Sequence, residues 1–558
     1  MTRLVHRTDV HTALIAMVVV VLQHPLLSTQ LIESHDLFFY QRRALDYLEA
    51  LRFGPNLIPI WSENAVGGLG RPFFLYSAPL MNLLCALLSA AVGSVLAVHL
   101  VFLAVMILAS LAAYFWLREL FSPGTALLGA ISFSCTDYVM RESLARGALA
   151  EAAALMFFGW CLWAVEHAFA RRARSCVPLI ALFFGGLVLS HNLSMIFCGP
   201  ALVAYIGLAR LRYGDWPCSG LSAAMPFFGL AVSSFFWLPT YLYSEWLNTA
   251  RYVGFVGELA YMTPAQLFSI GHTSLAVEVK RRLAFSGFTL AGAMGLGCLV
   301  FDVGDRQQRR FAWTMVLGVV LTFFMMSEYA APLFEWIEML QFLQFPWRMF
   351  VLVSFFMCGL GAFAFQALAR SGSLRRSVLV ALVLGPPVLS ALAFAKSTER
   401  EDRPVPRNVQ ELRALGNASF TFEDVSAHRC VPLGRAKRPV TANELFTSEH
   451  DVSFSQPRLS YGRRAVSYES DAAAVIQVET SFSPLWDIRV DGVSVPVSCS
   501  TSGRLEFSVP AGSGVVEATV TPTALMSSAQ WSSLLTFLGL IALLLYFGRG
   551  SPPRSELT

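Results

Sequence analysis

The chain has 558 residues, 55% hydrophobic and 14% charged, with a net charge of +4 and a mean hydropathy of +0.56. Soluble globular proteins carry about 25% charged residues, so the bulk of this chain faces lipid. That excludes a soluble enzyme, and so small a charge excess marks no nucleic-acid surface.

Apolar runs of roughly 17–25 residues suffice to cross a hydrocarbon core of about 30 Å. About a dozen occur, at 11–28, 95–117, 123–140, 148–169, 177–191, 193–209, 220–241, 285–302, 311–327, 347–369, 377–395 and 531–547. Runs of this length imply helices, because lipid leaves no other partner for the backbone of a single segment. The first has Arg3 and Arg7 before it and no small-residue cleavage site behind it, so it reads as a retained helix.

The loop after it, about 29–94, opens on Glu33-Ser34-His35-Asp36 and runs to Gly67-Gly68-Leu69-Gly70-Arg71-Pro72. Glu33 and Asp36 share one face if the first helix continues that far. A carboxylate at the lipid–water boundary serves as general base toward a hydroxyl; a solvated acid ending a helix is the structural alternative. Asp46 and Glu49 read as the polar face of a surface helix. The apolar stretch 73–92 is broken by Pro79 and Asn82. It reads as in-plane or re-entrant, because counting it as a span sends most arginine clusters outward.

With that assignment and a cytoplasmic N-terminus, Arg118, Arg171, Arg172, Arg174, Arg210, Arg212, Arg306, Arg309, Arg310, Arg370, Arg375, Arg376, Arg549 and Arg554 fall in the cytoplasm. Lys280-Arg281-Arg282 conflicts, falling outside. The outer side then holds the first loop, a short loop around 137–148, and longer loops at 243–284 and 328–346.

The short loop carries Asp137, Arg141, Glu142, Arg146, Gly147 and, just inside the next apolar run, Glu151. Ionisable groups in membrane segments are costly and usually functional. Arginine there suits phosphate recognition; an Arg141–Glu142 or Arg146–Glu151 pair holding two helices together is the alternative. His191-Asn192 sits between two spans, as a site group or a packed, hydrogen-bonded residue. Gln344-Phe345-Pro346-Trp347-Arg348 closes the loop before the tenth span, with Arg348 facing phosphate or snorkelling to headgroups. No Walker loop or dinucleotide fingerprint supports ATP or NAD chemistry.

From about 450 the pattern turns to short alternating runs, 474–478, 486–490 and 515–520, with the hairpin signal Asp491-Gly492. These predict a small antiparallel β-sandwich. Of ten cysteines, only Cys430 and Cys499 lie in this soluble segment, where an oxidising compartment allows their disulfide. The fold class expected is therefore mainly α, a polytopic membrane helix bundle of about 12 spans with a small extracytoplasmic β-sandwich near the C-terminus. Its parts would be 1–396 (membrane domain), 397–529 (β domain) and 530–558 (final span and short cytoplasmic tail).

Several motifs in order support a resemblance. His35-Asp36-Leu37, Leu57-Ile58-Pro59-Ile60-Trp61, Gly67 to Tyr76, Arg146-Gly147-Ala148 with Glu151, Ser190-His191-Asn192-Leu193 and Phe345-Pro346-Trp347-Arg348 resemble bacterial 6-pyruvoyl-tetrahydropterin-synthase-related polytopic proteins. Phe482 to Gly492 and Val509-Pro510-Ala511-Gly512 are similar to the extracytoplasmic domain of YfhO-like proteins. Both groups look like members of the GT-C glycosyltransferase superfamily; an integral membrane chain without a zinc triad does not suit pterin chemistry.

The resemblance implies a bacterial inner-membrane enzyme that moves a sugar from a polyprenyl-phosphate donor to an envelope glycan, lipid or protein acceptor on the outer face. Asp36 would be the base, with Glu33, Glu142, Glu151 and Asp137 as further acids. Arg141, Arg146, His191, Arg348 and Trp61 would contact substrate, Arg146 meeting the phosphate with Arg348 as second candidate. A divalent metal, Mg or Mn, assists some members; here no clean acidic pair is present. A lipid-linked saccharide transporter and a non-catalytic envelope assembly protein are the rival classes.

Overall fold

The computed structural model describes residues 2–246, 261–262, 292, 294–300, 304–343, 345–368, 384–385, 388–389, 391–402, 405–414, 445–448 and 451–549. Helices come first: α1 (Thr2–Leu22), α2 (Leu37–Phe53), α3 (Phe73–Tyr76), α4 (Pro79–Val92), α5 (Ser94–Arg118), α6 (Pro123–Ser134), α7 (Asp137–Arg141), α8 (Leu149–Arg171), α9 (Val177–Ser190), α10 (Met195–Tyr213), α11 (Ser219–Val232) and α12 (Ser234–Leu242). Three more long helices are α13 (Arg306–Met326), α14 (Phe350–Leu368) and α15 (Ala524–Arg549).

Among the described residues, six helices are long and apolar enough to cross a membrane, or seven if α11 and α12, bent by 67°, count as one span. The expected dozen is not reached. The runs at 11–28 and 177–191 give apolar helices of 10–17 residues, and 123–140 breaks after Ser134, where Thr136 caps α7 by accepting from the Val139 N–H. The runs at 285–302 and 377–395 fall partly outside the described residues, as does nearly all of 243–284. The stretch 73–92 is not one span: α4 has 14 residues, about 21 Å at 1.5 Å per residue, short of the roughly 30 Å core.

Helix α5 is the spine, packing against α1, α4, α6 and α8, while α9 bridges α8 and α11. The bundle has two polar ends. At one, Glu119 binds His167 (2.8 Å) and Arg171 (3.1 Å), and Arg172 donates to the carbonyls of Tyr213 and Gly214. Buried Glu166 there takes Arg212 (2.8 Å) and the hydroxyls of Tyr205 and Tyr213. At the other end, the loop after α1 meets the α7–α8 turn.

The β region holds two antiparallel sheets. One has strand order β1-β5-β9-β8 (Phe446–Ser448, Ala474–Ser481, Arg504–Val509, Ser498–Cys499). The other runs β2-β4-β10-β6-β7 (Val452–Phe454, Arg463–Ser470, Gly512–Val520, Trp486–Val490, Val493–Val495), with β3 (Arg458–Ser460) paired to β4. Ile476, Val478 and Phe507 of the first sheet share a core with Val466, Ile488 and Val516 of the second. Asp491 (φ 50°) and Gly492 (φ 82°) make the left-handed two-residue turn joining β6 to β7, as their pairing predicts. Cys499 is half-buried at the end of β8; Cys430 lies outside the described residues, so the expected disulfide between them does too.

That sheet core continues into the first loop through Tyr47, Ile60, Trp61 and Phe74. The Trp61 ring lies edge-on to Trp486 at 5.1 Å. Gly70 closes over it, and a Cβ there would sit 2.7 Å from the indole. Beneath the rings is Asp46, 2% exposed. It accepts from Ser62, from Asn64 (2.8 Å) and from the Tyr461 hydroxyl (2.8 Å). Glu63 pairs with Arg464. The surface-helix expectation for Asp46 is thus corrected: the β region covers it.

Burial outweighs these three donors and pushes Asp46 up to about 6. A raised folded-state pKa means the native state binds its proton more tightly than the unfolded chain. This contribution to stability is full below about pH 4 and is lost as pH rises through about 6. Two pKa units correspond to roughly 3 kcal/mol. Thermal unfolding of the detergent-solubilised chain is therefore expected to show wild type losing stability between pH 4 and 6.5 relative to Asp46→Asn. Parallel curves for the two proteins would refute the assignment.

Candidate active site

The α7–α8 connection is a π-helical turn, Glu142–Arg146, closed by Gly147 in the left-handed region (φ 64°). Only glycine fits: a Cβ would stand 2.6 Å from Leu37 Cγ and 2.7 Å from Ser34 Oγ. The space so saved lets the first loop lie on this turn. His35 N–H donates to the Ala145 carbonyl (3.2 Å) and Asp36 N–H to the Arg146 carbonyl (2.8 Å). Asp36 is the N-cap of α2, its carbonyl accepting from Phe39 and Tyr40. The Tyr40 hydroxyl in turn accepts the Ala150 N–H (3.1 Å) in the first turn of α8.

Arg146 lies at the centre. Its Nη1 donates to both Glu142 oxygens (2.5 and 2.7 Å) and to Glu151 Oε2 (3.0 Å). Its guanidinium lies 4.5 Å from the centre of the Trp347 ring. Glu151, 2% exposed, also accepts from the Tyr138 hydroxyl (2.6 Å), with Arg348 Nε 3.6 Å away. Arg348 donates to the Leu343 carbonyl (3.1 Å). His191, partly buried at the α9–α10 junction, contacts Ser194 Oγ (2.7 Å) and feels the charges of Glu151, Arg348 and Arg146.

Asp36 differs from its neighbours. Its carboxylate makes no hydrogen bond or ion pair among the described residues, yet it lies within the fields of Arg146, Arg43 and His35. Burial raises its pKa, and those charges only partly offset the rise. Burial, followed by the charge of Glu151, likewise pushes Glu142 up.

Sequence reasoning overlooked Arg43. It stands two turns beyond Asp36 on α2, a separation that keeps both on one helix face. Its guanidinium packs 4.7 Å from the Phe73 ring centre and 5.4 Å from that of Tyr40. Its Nε is buried without a hydrogen-bond partner among the described residues. The seven-residue spacing from Asp36 was the available signal.

Asp36, Glu142, Arg146, Glu151, His191 and Arg348 thus come together. Glu33 does not join them: α1 ends at Leu22, so the two acids share no helix face, and Glu33 is exposed with its N–H on the Glu399 carbonyl. Arg141 pairs with Asp137 (3.5 Å), both partly exposed. Trp61 belongs to the β-region contact, not to this cluster.

An apolar groove of about 870 Å³ runs between α4, α5, α8 and α9, walled by Leu84, Leu88, Val101, Val105, Met156 and Trp160. Met156 follows Glu151 by five residues, about 7.5 Å along α8, so the groove begins close to the charged cluster. Divalent metal is poorly served here. Arg146 occupies the space between the two glutamates, and no group of three or more His, Cys, Asp or Glu is placed to hold an ion among the described residues. The donor set as it stands does not fit Mg or Mn.

No family model and no curated protein matches the chain. Similar solved structures include the arabinofuranosyltransferase AftD from Mycobacteria, 14% identical over 70% of this chain and 28% of that one, with a TM-score of 0.46. The apo oligosaccharyltransferase of Archaeoglobus fulgidus gives 14% identity over 70% of this chain and 56% of its own, at 0.46. The same organism's AglB, in complex with an inhibitory peptide and a dolichol-phosphate, gives 15%, 70%, 56% and 0.43. A likeness of this degree carries no argument about chemistry.

The geometry separates two kinds of charge. Removing one partner of a buried ion pair costs about 3–5 kcal/mol; removing a carboxylate that has no partner costs little. Arg146→Met is expected to destabilise the purified chain by that amount in thermal or denaturant unfolding. Asp36→Asn should leave stability unchanged or slightly higher. Equal losses in both variants would contradict the geometry.

Proposed function

We propose that this chain is a membrane glycosyltransferase that moves a sugar from a polyprenyl-phosphate donor to a hydroxyl acceptor. The observation that carries the reading is the Asp36 carboxylate, without a hydrogen bond or ion pair among the described residues, in the field of Arg43, whose buried Nε likewise lacks a hydrogen-bond partner among them, near the end of an apolar groove. A base, an anion-binding cation and a lipid channel are the three parts such a reaction needs.

Asp36 accepts the proton of the acceptor hydroxyl as its oxygen attacks the anomeric carbon. The bond from that carbon to the phosphate oxygen breaks, and its electron pair leaves with the polyprenyl phosphate. Arg43 receives the phosphate, and Arg348, one contact away from Glu151, is its second cation. Such preorganised cations stabilise charge as it develops on a leaving group. Arg146 Nη1 is shared between two carboxylates, so we assign Arg146 to holding Asp36 in place through the backbone contact at its carbonyl.

A positioned general base contributes typically 10²–10⁴-fold. In cells lacking the native gene, Asp36→Asn at wild-type expression is expected to abolish one envelope sugar while its polyprenyl-linked donor accumulates, as read by mass spectrometry. Because burial raises the Asp36 pKa, the rate of the purified enzyme should fall on the acid side at a pH above the ordinary aspartate value of 3.8. Unchanged glycans in the Asp36→Asn cells would remove the base assignment. Arg43→Gln should raise the donor concentration needed for half-maximal rate at least tenfold; an unchanged requirement would remove the phosphate assignment.

A further inference from the structure

The larger sheet of the β region turns one face to the bundle-side core and the other outward. Pairing places the outward residues in two rows. One row is Arg458, Ala465, Glu517 and Arg489, and the other is Ser460, Arg463, Thr519 and Asp487. Together with Thr521 they line a cleft of about 500 Å³. Arg489 is paired with Asp487 (3.0 Å). Arg458 and Arg463 are exposed and enter no hydrogen bond through their side chains and no ion pair among the described residues. The fourth arginine of the cleft, Arg464, is buried and held by Glu63, so it fixes the floor rather than binding anything.

We propose that this cleft binds an acidic saccharide, a sugar chain carrying carboxylate or phosphate groups. Free guanidiniums offer paired donors that match those groups. The hydroxyls of Ser460, Thr519 and Thr521 and the carboxylates of Asp487 and Glu517 supply acceptors and donors for sugar hydroxyls. The sheet fixes the spacing, since each lining residue stands at a set register position.

The site's height favours a glycan over a bilayer headgroup. Thr521 in the cleft precedes α15, whose first turns, Ala524 to Gln530, are mixed in polarity before the apolar run that starts at Trp531. Seven helical residues rise about 10 Å, so the cleft is set back by that length from the apolar run that would meet lipid. The site is independent of the transfer reaction, so its test needs no turnover.

Binding of a size-defined oligogalacturonate to the full chain in detergent, followed by calorimetry, tests the proposal, with the methyl-esterified oligomer as neutral control. The wild type should bind the acid form at least tenfold more tightly than the Arg458→Ser/Arg463→Ser double variant. Its affinity should weaken with salt, and the neutral oligomer should not bind. Glu517→Gln, which keeps an acceptor for sugar hydroxyls but removes a negative charge that repels the acidic ligand, should tighten binding. Neither exposed arginine side chain makes a hydrogen bond or ion pair among the described residues, so the double variant's thermal midpoint should match wild type. Equal affinity in wild type and double variant, or no binding to wild type, overturns the proposal. So does displacement of the oligomer when the chain is moved into nanodiscs of phosphatidylglycerol, which would make the cleft a lipid site.

Discussion

The arrangement depends on one constraint: a guanidinium and two carboxylates buried together must satisfy one another. Arg146, Glu142 and Glu151 meet at the end of an apolar bundle, where an unpaired charge would cost several kcal/mol. Their mutual contacts (2.5–3.0 Å) fix the Glu142–Arg146 turn. That turn presents the Ala145 and Arg146 carbonyls to the first loop, where they accept the N–H groups of His35 and Asp36. Gly147 is the steric condition for the fit. The position of Asp36 thus follows from an ion cluster of which it is not a member.

The opposite end of the bundle supplies the contrast. Glu166 there is met by Arg212 and two tyrosine hydroxyls, and Glu119 by a histidine and an arginine. Nothing in that network has a carboxylate left over. Deep acids in this protein are satisfied as a rule, which native structures generally require. Asp36 and Arg43 are set apart because, among the described residues, the Asp36 carboxylate has no hydrogen bond or ion pair and the buried Arg43 Nε has no acceptor. Local departures from consistent packing are where function is expected to lie.

Much of this was legible in the sequence, for identifiable reasons. Asp491-Gly492 needs left-handed backbone at both positions, so its hairpin could be read directly; the alternating runs matched β6 to the residue and marked β5 and β10, each three residues short. The Arg146-Gly147 pair and Glu151 could be read because charges are rare in apolar runs. What failed were readings that needed the third dimension. Trp61 lies in an aromatic motif that looks exposed, and only the fold reveals Trp486 and Gly70 enclosing it. Glu33 seemed linked to Asp36 by spacing, but the chain from Ser28 to Asp36 is not helical. Span counting overreached because hydropathy does not register the break after Ser134 that begins α7.

Helix α2 ties these parts into one mechanical unit. Asp36 caps its start, Arg43 follows two turns on, and Asp46 faces the β region from the next turn. A rise of 1.5 Å per residue puts the docking carboxylate about 15 Å from the base. The β region therefore grips the same rigid rod that carries the base and the proposed phosphate ligand through Tyr461 on Asp46, while Arg464 holds Glu63 of the loop that follows it. Packed elements transmit displacement because interiors are dense and yield little. A load on the β region would accordingly be felt at Asp36 as a shift along α2, and the ion cluster around Arg146 is what resists it. Base, cation and docking contact keep their spacing only while both ends of that helix are held, one by the buried salt bridges and the other by the sheet.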